Sequence, residues 1–249
     1  MKLNKIYRED CLLGLKKIPD KSVNLIVTSP PYNVGKKNKK YIEYGDSLSE
    51  QEYIEMTSSL FKQFKRVLKD EGAIYYNFGY NVRNPALPYK VVDTALKEGL
   101  YLKETIAWVK KNSMPLPQAN SLTREFEFIF LFTKSKNNHN IRKERIYLKQ
   151  LRNIFARRLV SNVWNFPNHT ENQYSEVKVS HIHKAVFPKT LPQTAILLST
   201  DKGDTVLDPF MGTGTTAIAC KEWGRNYLGF EITKEYIDIA KKRLKRVAS

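Results

Sequence analysis

Residues 204–220, DTVLDPFMGTGTTAIAC, restrict the fold of this chain more than any other segment. An apolar run ends at Asp208, a turn holding Gly212 and Gly214 follows, and a helix of small residues opens at once. Glycine takes backbone angles closed to other residues and lets a ligand approach the main chain. The first N–H groups of the helix behind it have no partner within the helix. Glu231 stands nineteen residues after Gly212, at the end of the next apolar run, where a carboxylate accepts hydrogen bonds from both hydroxyls of a ribose. Strand, tight turn, helix and second strand make a parallel unit of an α/β sheet. Three readings of the turn compete. One is a site for S-adenosylmethionine, which has ribose and adenine but no phosphate. A second is a dinucleotide site with Ala217 as the third small residue, and the third is a plain structural turn. A nucleoside triphosphate site would need a Lys after Gly214, and none follows.

The rest of the chain alternates in the same way. Strands are expected at 3–8, 23–29, 73–78, 203–208 and 225–232, and helices at 11–18, 86–98, 189–200, 214–223 and 233–246. Ser49 and Glu52 form a capping box, and apolar residues at 53, 54, 60, 61, 64, 67 and 68 continue it as a helix that Gly72 ends. Runs at 102–109 and 125–132 read as an antiparallel pair at a sheet edge. The expected fold is therefore α/β and Rossmann-like: a mostly parallel sheet, helices on both faces, and an antiparallel edge hairpin.

Charge narrows the partners. The 249 residues carry 42 Lys and Arg against 25 Asp and Glu, a net charge of +17. That surplus points to an anionic partner, nucleic acid first. It is concentrated in residues 134–158, where nine Lys or Arg face the single acid Glu144, with Tyr147, Phe155, Trp164 and Phe166 interleaved nearby. No helical or strand period runs through 134–182, so the stretch reads as an inserted region gripping something anionic. Two cysteines make no disulfide framework, and no apolar signal core or membrane span occurs. A cytoplasmic protein is expected.

A second constellation, Thr28-Ser29-Pro30-Pro31-Tyr32-Asn33, closes the apolar run VNLIVT. In open α/β sheets ligands sit at that end of the strands. Two prolines fix the backbone there. The Ser29 hydroxyl and the Pro30 carbonyl are placed to accept hydrogen bonds from an amino group, and Tyr32 offers a flat face. An exocyclic amine on a nucleobase is a weak nucleophile because its lone pair is delocalised. Two acceptors on its hydrogens free that lone pair toward an electrophile, and stacking holds a base flipped from the duplex.

With these motifs together, the chain resembles the β-type S-adenosylmethionine-dependent amino-methyltransferases of DNA, of the restriction-modification kind. The resemblance rests on REDCLLGLKKIPDKSVNLIVTSPPYN, IAWVKK, REFEFIFLFTKS, VWNFP, HKAVFPKTLP and DTVLDPFMGTGTTAIACKEWGRNYLGFEITKEYIDIAKKRL. It implies a catalytic motif at Ser29, Pro30, Pro31 and Tyr32. It implies a cofactor loop at Asp208, Phe210, Gly212 and Gly214, a ribose acid at Glu231, an acid near the adenine at Asp10, and a methionine-end segment around Phe187, Pro188 and Thr190. Residues 1–133 are then the catalytic part, 134–180 a target-recognition insertion, and 181–249 the cofactor-binding part. Contacts to double-stranded DNA are expected from Asn33, Lys36, Lys37, Lys39 and Lys40 beside the catalytic motif, and from Arg142, Lys143, Arg145, Arg152, Arg157 and Arg158 in the insertion.

In that family Ser at the first catalytic position goes more often with cytosine N4, and Asp with adenine N6. Ser29 therefore favours cytosine N4, with adenine N6 as the alternative. Methylation at carbon 5 of cytosine needs a cysteine nucleophile, and Cys11 and Cys220 read as packing residues instead. No metal site is expected, since His139, His169, His181 and His183 lack neighbouring acids or cysteines. The basic tail from Lys241 to Arg246 reads as a solvated helix face. A DNA-binding module without catalysis and an NAD-dependent oxidoreductase are the rival classes. A homodimer and a companion restriction endonuclease are partners the resemblance implies.

Overall fold

The computed structural model describes residues 1–33, 48–79, 84–110, 122–141, 161–166 and 187–247. In chain order the elements are β1 (Lys5–Arg8), α1 (Cys11–Leu15), β2 (Val23–Thr28), α2 (Glu50–Val67), β3 (Leu68–Phe78), α3 (Leu87–Lys97), β4 (Tyr101–Lys110), β5 (Phe126–Thr133) and β6 (Val163–Phe166), then α4 (Thr190–Ser199), β7 (Thr205–Asp208), α5 (Thr215–Glu222), β8 (Asn226–Glu231) and α6 (Lys234–Arg246). The eight strands form one sheet in the order β1-β8-β7-β2-β3-β5-β4-β6. Only β5 runs against the others, pairing antiparallel with both β3 and β4.

Helices cover both faces. Along β2, Val23 and Ile26 pack with Leu60, Phe61 and Phe64 of α2 and Val91 of α3 on one face. Leu25 and Val27 pack with Leu191, Ala195 and Ile196 of α4 and Ala219 and Cys220 of α5 on the other. Strands buried on both faces are why these runs read as continuous rather than alternating. β7 and β2 are neighbours, yet the chain leaves β7 through α5 toward β8 on one side and β2 through α2 toward β3 on the other. Such a reversal opens a crevice beyond the carboxyl ends of the strands.

The structure differs from the expected one in three places. Gly72 does not end α2. The helix stops at Val67, where Leu68 turns extended (φ −69°, ψ 137°) and pairs with Val23. Gly72 lies inside β3, where a Cβ would meet the Leu68 side chain at 2.7 Å and the Asn24 carbonyl oxygen at 2.9 Å. The β4–β5 pair is antiparallel as expected, but β6 lies outside it, parallel to β4. Its residue Trp164, read among the aromatics of the basic stretch, is 1% exposed and stacks on Tyr75 at 6.0 Å. A strand of four residues shows too few positions per face for a period to be seen. Finally, Arg243 is not on a solvated face. It is 6% exposed, and its guanidinium donates to the Thr213 carbonyl and hydroxyl in the glycine turn.

Candidate active site

The carboxyl ends of β1, β8, β7, β2, β3 and β4 and the start of β5 share one edge of the sheet, and the two sequence motifs meet there. On the β7–β8 side the acids are fixed by backbone N–H groups. Asp10 caps α1, one carboxylate oxygen accepting from the Leu12 and Leu13 amides at 2.9 and 3.2 Å. Glu231 ends β8 and accepts from the Gly212 amide at 2.9 Å and the Thr233 amide at 2.8 Å. Gly212 (φ 52°) and Gly214 (φ 84°) hold the left-handed conformations the sharp turn needs. A Cβ on Gly214 would lie 2.8 Å from that of Ala240 in α6, so glycine here serves helix packing as well as the turn.

Asp208 sits at the seam. It is 1% exposed and accepts from the Thr28 hydroxyl of β2 at 3.0 Å, the Thr216 hydroxyl at 2.6 Å and the Phe210 amide at 3.1 Å. Burial pushes its pKa up to about 6. The hydrogen bonds from Thr216, the Phe210 amide and Thr28 oppose that rise, and the Glu231 charge adds to it. Asp208 thus ties the cofactor-type turn to the strand that carries Ser29.

Beside this seam opens a pocket lined by residues of both motifs: Asp10, Cys11, Pro31, Phe210, Phe230 and Glu231 among them. Its cavity volume is about 160 Å³, and it opens to solvent. Pro188 and Thr190 lead into α4 and are not among its lining residues. Cys11 and Cys220 are buried free thiols. Burial pushes Cys11 up to about 12 and raises Cys220 as well, so neither is held as a thiolate nucleophile.

On the β2–β3–β5 side the anchors are side chains. The Ser29 hydroxyl lies 2.7 Å from the Tyr32 hydroxyl, and Tyr32 donates to Glu127 of β5 at 3.0 Å. Asn77 of β3 donates to Tyr32 and, at 2.8 Å, to the same Glu127 oxygen, with a longer approach of 3.4 Å to Ser29. Lys110 of β4 pairs with the other Glu127 oxygen at 2.6 Å. The Tyr32 ring lies 5.1 Å from that of Phe78, tilted 50°, over Gly79, where any Cβ would strike it at 2.4 Å. The Tyr53 hydroxyl donates to the Pro31 carbonyl at 2.7 Å. Asn33, with φ 53°, donates to the Leu48 carbonyl at 2.9 Å.

Sequence reasoning missed Asn77, Lys110, Glu127 and Thr216, and the roles of Thr28 and Arg243. Two of these left a trace. Glu127 is in phase with buried Ile129 and Leu131 on β5, and Arg243 with buried Tyr236, Ile239 and Ala240 on α6. A charged residue in phase with a core is one the fold must satisfy. The expected DNA contacts Lys36, Lys37, Lys39, Lys40, Arg142, Lys143, Arg145, Arg152, Arg157 and Arg158 lie outside the described residues, as do His169, His181 and His183. Among the described residues no helix is long and apolar enough to cross a membrane.

Comparison with known proteins matches this arrangement. The chain is 31% identical to the Type II methyltransferase M.Cfr9I of Citrobacter freundii, over 96% of this chain and 87% of that protein. It is 32% identical to the Type II methyltransferase M.HpaI of Haemophilus parainfluenzae, over 94% and 72%. Its fold superposes on PvuII DNA methyltransferase (cytosine-N4-specific) with a TM-score of 0.79 at 23% identity, covering 96% and 85%. It superposes on M1.HpyAVI, solved as a SAM complex, with a TM-score of 0.65 at 26% identity, covering 96% and 98%. The N6/N4 DNA methylase family model matches residues 23–242, from the first residue of β2 into α6. With that match spanning both the Ser29 motif and the glycine turn, the chain belongs to the N6/N4 family of DNA methylases.

Proposed function

We propose that this protein transfers a methyl group from S-adenosylmethionine to the exocyclic amine of a base flipped out of duplex DNA, with cytosine N4 favoured over adenine N6. One observation carries the reading. Pro31 of the catalytic motif lines the same pocket as Asp10, Phe210 and Glu231, so an amine held by that motif lies beside a ligand held by those residues. The pocket suits the cofactor. The Glu231 carboxylate is fixed for ribose hydroxyls, Phe210 and Phe230 give apolar walls for an adenine, and Asp10 brings an acceptor to the same rim. When bound, S-adenosylmethionine supplies an electrophilic methyl group.

The chain's own residues supply orientation. Ser29 and the Pro30 carbonyl accept the amine hydrogens, draw its lone pair out of conjugation and stabilise the charge that develops on nitrogen. No covalent enzyme intermediate is needed, consistent with the buried, protonated thiols. Ser29 supports cytosine as target through the family resemblance, and the hydrogen-bond chemistry serves either amine. The basic stretch within 134–180 is the proposed target-recognition region. A companion restriction endonuclease and a homodimer are the further partners proposed.

Digestion of treated DNA to nucleosides and mass spectrometry tests the reading. N4-methylcytosine supports it in full, N6-methyladenine keeps the site and moves the base, and neither product with DNA binding intact overturns it. Ser29→Ala should lower turnover on the order of 100-fold with cofactor affinity unchanged by calorimetry. Unchanged turnover would remove Ser29 from its role.

A further inference from the structure

We infer that Glu127 is a positioning residue that sets the direction of a hydrogen-bond chain and thereby makes Ser29 an acceptor toward the substrate amine. This deepens the proposed function and rests on its reading of Ser29 as the residue that meets the amine.

The argument is one of proton counting. A serine hydroxyl has one proton and can donate or accept. Pointed at an amine it is useful only as an acceptor, because a donated hydrogen bond would tie up the nitrogen lone pair that must attack the methyl group. Something must therefore draw the Ser29 proton away from the substrate. Glu127 does this through Tyr32. An ionised carboxylate only accepts, and the Tyr32 hydroxyl, 3.0 Å away, donates its single proton to it. Burial and the Glu127 charge push the Tyr32 pKa well above its ordinary value, so the phenol keeps that proton. Tyr32 then has only lone pairs to offer Ser29. The 2.7 Å contact between the two hydroxyls, in which either atom could donate, is resolved: Ser29 donates to Tyr32 and keeps its lone pairs for the amine.

Asn77 supports the same direction. Its amide nitrogen donates to both Tyr32 and Glu127. The reversed amide would set its oxygen against a carboxylate. Among the described residues its own carbonyl oxygen is buried without a hydrogen-bond partner, an arrangement that costs stability and is tolerated where it serves the site. Lys110 holds the second Glu127 oxygen at 2.6 Å, which leaves the first to Tyr32 and Asn77. The chain reads Lys110, Glu127, Tyr32, Ser29, amine, with contributions from β4, β5 and the loop after β2, steadied by β3. No single motif contains it.

Glu127→Gln keeps the shape but offers a donor as well as an acceptor. Lys110, being charged, competes for the amide oxygen and turns the NH₂ toward Tyr32, which frees the Tyr32 proton to point at Ser29. The expected result is a kcat lowered on the order of tenfold or more, with KM for DNA and cofactor affinity unchanged. Tyr32→Phe, which cuts the chain at its middle, should lower kcat comparably. In the Tyr32→Phe background, Glu127→Gln should then have no further effect, since coupled residues are non-additive. Wild-type kcat in Glu127→Gln, an effect confined to KM, or simple additivity of the two changes overturns the inference. If Glu127→Gln does not fold, Tyr32→Phe alone decides, and wild-type turnover there overturns it. The underlying reading fails separately: active Ser29→Ala removes Ser29 from the chemistry, whereas inactive Ser29→Ala with active Glu127→Gln sinks only the role of Glu127.

Discussion

The two halves of the candidate active site are held by different kinds of bond. Around β7 and β8 each acid is fixed by main-chain amides: Asp10 by those of Leu12 and Leu13, Glu231 by those of Gly212 and Thr233, and Asp208 in part by that of Phe210. Around β2, β3, β4 and β5 the groups hold one another side chain to side chain, across 45 residues between Tyr32 and Asn77 and 95 between Tyr32 and Glu127. The first half depends on backbone that glycines shape locally. The second depends on four strands arriving in register. A change in the first should be felt by the ligand its carboxylates hold, and a change in the second by turnover.

The largest expected effect tests that division from the cofactor side. Glu231→Ala removes a carboxylate proposed to hold two ribose hydroxyls. Hydrogen bonds to a charged group contribute roughly 1.5–3 kcal/mol each, so the loss of two should raise the dissociation constant for S-adenosylmethionine on the order of 100- to 10,000-fold. At saturating cofactor, kcat should stay within a few-fold of wild type. Calorimetry and saturation kinetics read the two quantities apart. A collapse of kcat under saturation would show that Glu231 also shapes the catalytic loop, and the division into halves would be wrong.

The same division explains what could be read from the sequence. Main-chain anchoring is local, so, whereas Asp10 and Asp208 are implied by the family resemblance alone, Gly212, Gly214 and Glu231 stand in a short motif whose spacing carries their geometry. Ser29 and Tyr32 are legible for the same reason, beside two prolines at the end of an apolar strand. Asn77, Lys110 and Glu127 are not, because what makes them important is the pairing of β5 with both β3 and β4, a long-range register that no local pattern encodes. The elements follow suit. Long periodic runs such as α2 and β5 were legible within a few residues. β6 was hidden by its length, and Gly72 misled because a glycine after a helical run usually stops the helix, whereas here a buried close approach to Asn24 requires it.

The next effect probes the seam. Asp208 has a folded pKa of about 6 against an ordinary 3.8. Between those values the folded chain holds a proton that the unfolded chain has released. The contribution of Asp208 to stability is therefore greatest below about pH 4, falls as pH rises through 6, and is a fixed penalty above that. A shift of about two units corresponds to at most about 3 kcal/mol. Exposed carboxylates such as Glu50 and Asp70, with lowered pKa values, act in the opposite sense, and their stabilisation is lost as pH falls. The comparison must therefore be a difference. Urea unfolding of wild type and Asp208→Asn at pH 4 and pH 7.5 should show wild type losing ground to the variant at the higher pH. A constant gap would mean that the threonine hydroxyls and the Phe210 amide already satisfy the ionised form.

The smallest effect sharpens the comparison within the half that carries Ser29. Lys110 and Glu127 form an ion pair whose side chains are 22% and 14% exposed, and the Lys110 ammonium also lies 5.5 Å from the centre of the Trp108 ring. Were the pair itself the functional unit, losing either partner would cost the same. The chain argued above gives them unequal parts: Glu127 fixes the direction of the Tyr32 proton, and Lys110 only steadies Glu127. Partly exposed ion pairs contribute about 1 kcal/mol or less, and Asn77 and Tyr32 still hold the carboxylate when Lys110 is gone. Lys110→Met should thus lower kcat no more than a few-fold and stability by about 1 kcal/mol, well short of Glu127→Gln. Equal losses in the two variants would make the ion pair, not the carboxylate, the element that orients Ser29. A larger loss in Lys110→Met would place Lys110 itself against the substrate.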